Sequence, residues 1–304
     1  MKILVTGGAG FIGSHVVDAY INAGHEVVVV DNLATGRREN LNPAARFYEV
    51  DICRPELEAV FATEQPQVVN HHAAQIDVRR SVSEPLYDAE VNILGSIRLL
   101  EYCRRYGVQQ VIYSSTGGAV YGEPVYLPCD EAHPIRPICQ YGASKFTVEQ
   151  YLYLYHELYS FKFTVLRYAN VFGPRQDPHG EAGVVAIFIG KMLAGEQPVI
   201  NGDGEQTRDF IYVADCARAN IAALDNEQSA LTVNIGTGVA ASITEVYSQL
   251  AALTGYLRPP VFGPAKEGET RHIYLTADQA QQALGWQPAF NLQSGLAETV
   301  AFFK

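Results

Sequence analysis

The sequence predicts an α/β protein, a doubly wound parallel sheet followed by a smaller mixed α/β lobe. Three observations predict it. Up to about residue 170, short apolar β-branched runs alternate with amphipathic stretches, and strands separated by helices call for parallel βαβ units. The runs are solidly apolar, as strands buried on both faces require. After Asn170 the rhythm breaks, with turn-rich Gly173-Pro174-Arg175-Gln176-Asp177-Pro178 and Asn201-Gly202-Asp203-Gly204.

Strands are expected at 2–6, 26–31, 45–49, 67–71, 110–114 and 163–168, and helices between them at 13–23, 55–63, 85–106 and 143–159. This divides the chain into a first unit over 1–170 and a lobe over 171–304. Apolar strands near 209–213 and 232–235 are placed to return to the main body. With 304 residues, 48% of them hydrophobic and 18% charged, there is ample material for a core and no case for disorder.

Against 22 basic residues stand 33 acidic ones, a net charge of −11. Such a surface repels phosphate backbones, so nucleic acid is not an expected partner. A small anionic ligand is still compatible, held locally by Arg, Lys and backbone N–H groups. The five cysteines (Cys53, Cys103, Cys129, Cys139, Cys216) are scattered, with no CxxC, so neither a disulfide framework nor a metal site is expected. No apolar run reaches the ~20 residues that span a bilayer. The opening residues read as a strand entering a turn, not as a secretion signal, so a cytoplasmic location is expected.

Thr6-Gly7-Gly8-Ala9-Gly10-Phe11-Ile12-Gly13 lies between the first strand and the first helix. Glycines at 7, 10 and 13 suit a tight turn whose backbone takes positive φ or approaches a ligand closely. The helix beginning there aims free N–H groups and its positive dipole end at a diphosphate. A glycine cluster alone is only a turn. The context makes it more, because the second strand ends in Asp31-Asn32, 18 residues after Gly13. A carboxylate there accepts hydrogen bonds from the adenosine ribose and repels a 2′-phosphate, which marks a Rossmann-type site selecting NAD over NADP. Arg37-Arg38 nearby are the feature that would favour NADP. Asp51-Ile52, ending the third strand, offers a carboxylate to the adenine amino group, or else an N-cap ahead of Pro55. After the fourth strand, Ala73, Ala74 and Gln75 leave room for a cofactor, whereas His72 reads as a packed histidine.

Tyr141-Gly142-Ala143-Ser144-Lys145 puts a phenol and an ammonium about one helical turn apart, on one face. A nearby cation favours the phenolate, the base needed to remove an alcohol proton while hydride leaves for NAD⁺. YxxxK alone is common in helices. Its standing rises with Ser114-Ser115-Thr116, which ends the fifth strand on the sheet edge that carries the glycine turn.

On these residues the chain resembles the extended short-chain dehydrogenase/reductase superfamily, and within it the NAD-dependent sugar-nucleotide epimerases, most closely the UDP-glucose 4-epimerase type. The likeness continues through SSTGGAVYG at 114–122, RYANVFGPRQ at 167–176, GDGEQTRDFIYVAD at 202–215, NIGTG at 234–238 and LGW at 284–286. It implies a cofactor site of Gly7, Gly10, Phe11, Ile12, Gly13, Asp31, Asn32, Thr35, Asp51, Ile52, Ala73, Ala74, Gln75 and Ser114, with Asn92 and Tyr168 on the nicotinamide side. Tyr141 would be proton acceptor and donor, tuned by Lys145, which would also hold the nicotinamide ribose. Thr116, supported by Ser115, would align the sugar hydroxyl. Asn170, the Val184-Val185 backbone and Arg208 would meet the nucleotide diphosphate, Arg208 because a guanidinium fork matches phosphate geometry. Lys266 stands near a position where many relatives carry Arg, and Ile273 near the one that limits room beside the sugar C2 substituent.

Gly117-Gly118 follow Thr116 where a 4,6-dehydratase carries an acidic pair and a sugar-acid decarboxylase a Glu. Dehydration is therefore not expected, and the resemblance implies epimerisation at C4 of UDP-glucose/UDP-galactose through a transient 4-keto sugar. The alternatives are another epimerase of the family, acting on UDP-glucuronate or UDP-GlcNAc, a reductase or dehydratase, or a silent NAD-binding regulator. The family also implies a homodimer built on the helices at 85–106 and 143–159, with Tyr151, Leu152, Tyr155 and Leu158 as candidate contacts.

Overall fold

The computed structural model describes residues 1–179, 183–265 and 270–304. Its first part runs β1 (Lys2–Thr6), α1 (Phe11–Asn22), β2 (Glu26–Asp31), β3 (Arg46–Glu49), α2 (Leu57–Glu64), β4 (Val68–His71), α3 (Val78–Ser83) and α4 (Pro85–Ala89). A π-helical segment (Glu90–Leu94) then leads into α5 (Gly95–Arg105), β5 (Gln110–Thr116), α6 (Gly117–Val120), α7 (Gln140–Tyr159) and β6 (Lys162–Tyr168). The second part runs β7 (Asn170–Phe172), α8 (Val184–Leu193), β8 (Val199–Asn201), β9 (Thr207–Tyr212), α9 (Val213–Leu224) and β10 (Ala230–Ile235). It closes with β11 (Ala240–Ser242), α10 (Ile243–Thr254), β12 (Val261–Gly263), β13 (His272–Ile273), α11 (Asp278–Leu284) and α12 (Leu292–Phe303).

Seven strands form one sheet in the order β10-β6-β5-β4-β1-β2-β3, every pair parallel. The order reverses beside β1, which has β2 on one side and β4 on the other, so a crevice opens past the carboxyl ends of β1 and β4. Strand side chains alternate between two apolar layers. Ile3, Val5, Val27 and Val29 pack with Val16, Val17 and Ala219 of α1 and α9, while Leu4, Val28 and Val30 pack with Phe61, Leu99 and Leu152 of α2, α5 and α7.

The strand expected at 232–235 joins this sheet as β10, whereas the one at 209–213 does not. β6 offers one open edge, and β10 takes it from Ala230↔Phe163 to Ile235↔Tyr168. β9 instead centres a second sheet, with β11 antiparallel and β13 and β7 parallel to it. The single helix expected over 85–106 is interrupted by the π segment. Gly95 there lies so close to Ile52 that an added Cβ would sit 3.0 Å from Ile52 Cδ1, and the Cys53 thiol donates to the Glu90 carbonyl at 3.6 Å.

Two buried carboxylates hold the second part together. Asp209 accepts from Thr237 N and Oγ1, Gly238 N and Leu275 N. Asp215 accepts from Ala289 N and Phe290 N, and its carbonyl takes the Trp286 indole N–H. No helix among the described residues is long and apolar enough to cross a membrane.

Candidate active site

At the crevice, Gly7 takes φ +70°, and a Cβ on it would lie 2.6 Å from Ala73 N. A Cβ on Gly13 would lie 2.2 Å from Gly7 O, so the turn and the helix after it close only with glycine at both places. Gly10 is the N-cap of α1 and no side chain caps it. The first N–H groups, on Phe11, Ile12 and Gly13, have no intrahelical acceptor and are available to an anion. Asp31 is buried at the end of β2; its Oδ2 accepts from Ala9 N at 3.0 Å and its Oδ1 from Leu33 N at 2.8 Å. Burial pushes its carboxyl up, against those two N–H groups. Asn32 donates to Asp51 Oδ2 at 2.9 Å, and Asp51 Oδ1 accepts from Cys53 N at 2.7 Å. Thr35 is exposed on the loop after β2, while Ile52 is buried in the core behind the crevice. Arg37 pairs with Asp177 at 2.9 Å and Arg38 with Glu49, so carboxylates already engage both guanidinium groups. These residues fit a dinucleotide whose ribose meets a carboxylate.

Tyr141 is the second residue of α7, half-buried, and Lys145 follows one turn later, buried with Nζ 4.6 Å from the centre of the Tyr113 ring. Burial drives Lys145 down to about 7, against Glu149 and Asp88, which hold it up. Burial also pushes the Tyr141 phenol well above its ordinary range, with Cys139 and Asp88 adding to the shift. Opposing that, the α7 N-terminus favours negative charge on its first turn. Thr116 ends β5. A Cβ on Gly118 would lie 3.7 Å from Thr116 Oγ1 and 3.5 Å from Asn170 Oδ1, so both polar atoms converge over this glycine.

Ser114 shares a strand face with Thr116 and is partly exposed. Ser115 points the other way: it is buried and donates to Glu149 Oε1 at 2.5 Å, so it supports the strand end instead of reaching a ligand. Asn92, expected on the nicotinamide side, has its polar atoms engaged. Its Oδ1 accepts from Gln75 N, and its Nδ2 donates to Gln75 O and Asp88 Oδ1. The Tyr168 hydroxyl accepts from Asn220 Nδ2 at 2.6 Å inside the core, and its ring stacks on His72, a packed histidine as expected. Ala73 and Ala74 stay partly open beside the glycine turn.

Across the crevice, Val184 and Val185 begin α8, Val185 with its side chain in the lobe core. Arg208 on β9 stands opposite Ile273, and its Nη1 donates to Thr207 O at 2.9 Å. Ile273, expected near the sugar C2 substituent, is only 2% exposed and packs in the core. Lys266 lies outside the described residues.

A family model described as the NAD dependent epimerase/dehydratase family matches residues 3–236. The chain belongs to this family. It is 44% identical to a UDP-glucose 4-epimerase of Mycolicibacterium smegmatis over 100% of this chain and 99% of that protein. Among solved structures, a UDP-glucose 4-epimerase of Thermotoga maritima with UDP-glucose superposes with a TM-score of 0.98 at 50% identity, covering 100% of this chain and 98% of that one. A UDP-glucose 4-epimerase of Thermus thermophilus in complex with NAD gives 0.94 at 43%, covering 100% and 99%.

Two features of this family member escape a reading of its sequence. Asp88, fully buried, accepts from Gln75, Asn92 and Ser144. Glu149 pairs with Arg167 at 2.6 Å, both side chains buried. The signal for Asp88 was its i,i+4 spacing to Asn92, which puts both on one helical face. In this epimerase/dehydratase chain a Cβ on Gly117 would lie 2.4 Å from Leu275 Cδ1, so a larger residue there would push the end of that leucine aside.

Proposed function

We propose that the chain interconverts UDP-glucose and UDP-galactose by epimerisation at C4, with NAD as cofactor. The observation that carries the reading is the placement of Tyr141 and Lys145 on one face at the start of α7, with Thr116 at the end of β5 and no acid after it. Tyr141 takes the proton of the sugar C4 hydroxyl and later returns it. Lys145 lowers the cost of the phenolate and holds the cofactor ribose, and Thr116 orients the reacting hydroxyl. NAD, when bound, supplies the acceptor for the C4 hydrogen and gives it back to the other face of the 4-keto sugar. The Gly7–Gly13 turn and the α1 N-terminus hold its diphosphate, Asp31 its adenosine ribose, and Asp51 with Asn32 the adenine side. Asn170, the α8 N-terminus at Val184-Val185 and Arg208 receive the nucleotide diphosphate, so the cofactor rests mainly on residues 1–170 and the sugar nucleotide mainly on 171–304. The choice of UDP-glucose leans on the likeness to the Thermotoga protein with that ligand, and glycine at both 117 and 118 speaks against a dehydratase. The five unpaired thiols suit the reducing cytoplasm.

A panel of UDP-, dTDP- and GDP-sugars followed by NMR tests this reading. Purified protein should carry NAD and invert C4 of UDP-glucose with none added. No C4 inversion on any member of the panel rejects epimerisation, and inversion of a different sugar alone reassigns the substrate.

A homodimer belongs to the same proposal. Leu152 and Tyr155 are buried against the chain's own sheet, and Tyr151 is half-buried, but Leu154 (47% exposed), Leu158 (66%) and Leu94 (57%) leave apolar surface on α7 and beside α5. Sedimentation should give twice the 33.3 kDa chain mass, and Leu154→Glu with Leu158→Glu should give monomer. A wild-type monomer at micromolar concentration ends the dimer.

A further inference from the structure

The strongest unassigned feature is the carboxylate of Asp88, on α4, which is 0% exposed. Its Oδ1 accepts from Gln75 Nε2 at 3.0 Å and from Asn92 Nδ2 at 2.9 Å, and its Oδ2 accepts from Ser144 Oγ at 2.5 Å. Each donor sits on a different piece of the site. Gln75 is on the loop after β4, and its backbone N and O are both held by Asn92. Asn92 is in the π segment, where the wider turn brings its amide across to that loop. Ser144 lies between Tyr141 and Lys145 in the first turns of α7. A charged acceptor with three donors is a strong tether, since hydrogen bonds to ionised groups are shorter and firmer than neutral ones.

We infer that Asp88 is a positioning residue for the C4 reaction: its buried carboxylate locks the turn bearing Tyr141 and Lys145 to the cofactor-side loop and π segment, and sets a fixed negative charge beside Lys145. This rests on the epimerase reading above. The groups facing Lys145 make the charge matter. From its own helix come Tyr141 and Glu149, from β5 the face of Tyr113, and from β4 His71 and His72. Burial drives both histidines down, His72 to about 3, so neither carries charge near neutral pH. Glu149 is shared with Arg167 and Ser115. Asp88 is therefore the anion beside Lys145 whose described hydrogen-bond partners are all neutral.

The test uses full-length protein as purified, with Lys labelled at the ε-carbon. The Lys145 resonance is assigned by its loss in Lys145→Met, and its titration is followed without substrate. Asp88→Asn keeps the shape and removes the charge, which disfavours the ammonium. The Lys145 midpoint should then move to lower pH by about one unit, and the pH profile of kcat should move the same way. kcat for UDP-glucose should fall about tenfold with KM within about twofold, the split expected of lost positioning. Ser144→Ala cuts only the helix tether, so it should lower kcat and leave the midpoint in place. Should Asp88→Asn not fold, an unchanged kcat in Ser144→Ala overturns the inference. An unmoved Lys145 midpoint in folded Asp88→Asn overturns it as well. A wild type that inverts no sugar, with the midpoint still moved by Asp88→Asn, rejects the reaction while leaving Asp88 in its place.

Discussion

Tyr141→Phe is expected to lower the rate of C4 inversion by about 10²–10⁴-fold, the range that a positioned acid–base group supplies. Bound NAD and the melting temperature should stay close to wild type. The ring fills the same volume, and no hydrogen bond from a described residue holds the hydroxyl. The pH dependence follows from the surroundings. Burial, Cys139 and Asp88 all push the phenol up, so the free protein keeps it protonated. Three positive fields act the other way: the α7 N-terminus, the Lys145 ammonium and the oxidised nicotinamide ring when cofactor is bound. Turnover should therefore rise with pH as the phenolate forms in the loaded protein. Steady-state rates on UDP-glucose from pH 5 to 10 read this limb. A Tyr141→Phe enzyme within tenfold of wild type would remove Tyr141 from the role of base.

Much of this site is legible before any coordinates, because its parts answer to local rules. The glycines at 7 and 13 are fixed by backbone approach, Asp31 by its place at a strand end, and Tyr141 and Lys145 by helical spacing. The six strands before residue 170 fall within two residues of their expected bounds; five are buried parallel strands rich in apolar residues, and the sixth, β3, lies at the sheet edge with no buried residue. What the sequence hides is what side chains do across elements. Ser115 and Thr116 are neighbours in sequence, yet pleating sends one to Glu149 and the other to the crevice. Asn92 and Tyr168 sit beside the site, but Gln75 and Asn220 occupy their polar atoms. Ile273 pairs with Arg208 on a two-residue strand, too short for any alternation to show which way its side chain turns. β7, β8, β11 and β12 have three residues each and escape for the same reason. The return of β10, but not β9, to the large sheet is settled by the one open edge of β6, which is a property of the assembled sheet.

Lys145→Met should abolish function and stabilise the fold, and the second effect carries its own pH signature. The ammonium is buried, and burial has brought it from 10.5 to about 7. Its folded value is depressed, so wild-type stability from this group is intact above pH 10.5 and is lost as pH falls toward 7, where the chain must bury a charge it would keep in water. The cost is on the order of a few kcal/mol below pH 7 and shrinks steadily above it. Methionine fills a similar unbranched volume without charge, and it leaves neither neighbouring carboxylate alone. Asp88 retains Gln75, Asn92 and Ser144, and Glu149 retains Arg167 and Ser115. Melting curves should place Lys145→Met above wild type, with the gap widest at pH 6, smaller at pH 8 and nearly closed at pH 10. At pH 6 to 7, where the ammonium is charged, kcat should fall by about 10²-fold or more, because the phenolate loses its nearest cation. A gap that widens with rising pH, or a variant less stable than wild type at pH 6, would mean that the ammonium is held by its neighbours and not strained among them. A stabilised variant that has lost turnover would identify Lys145 as a place where this fold gives up stability to keep a charge beside its base.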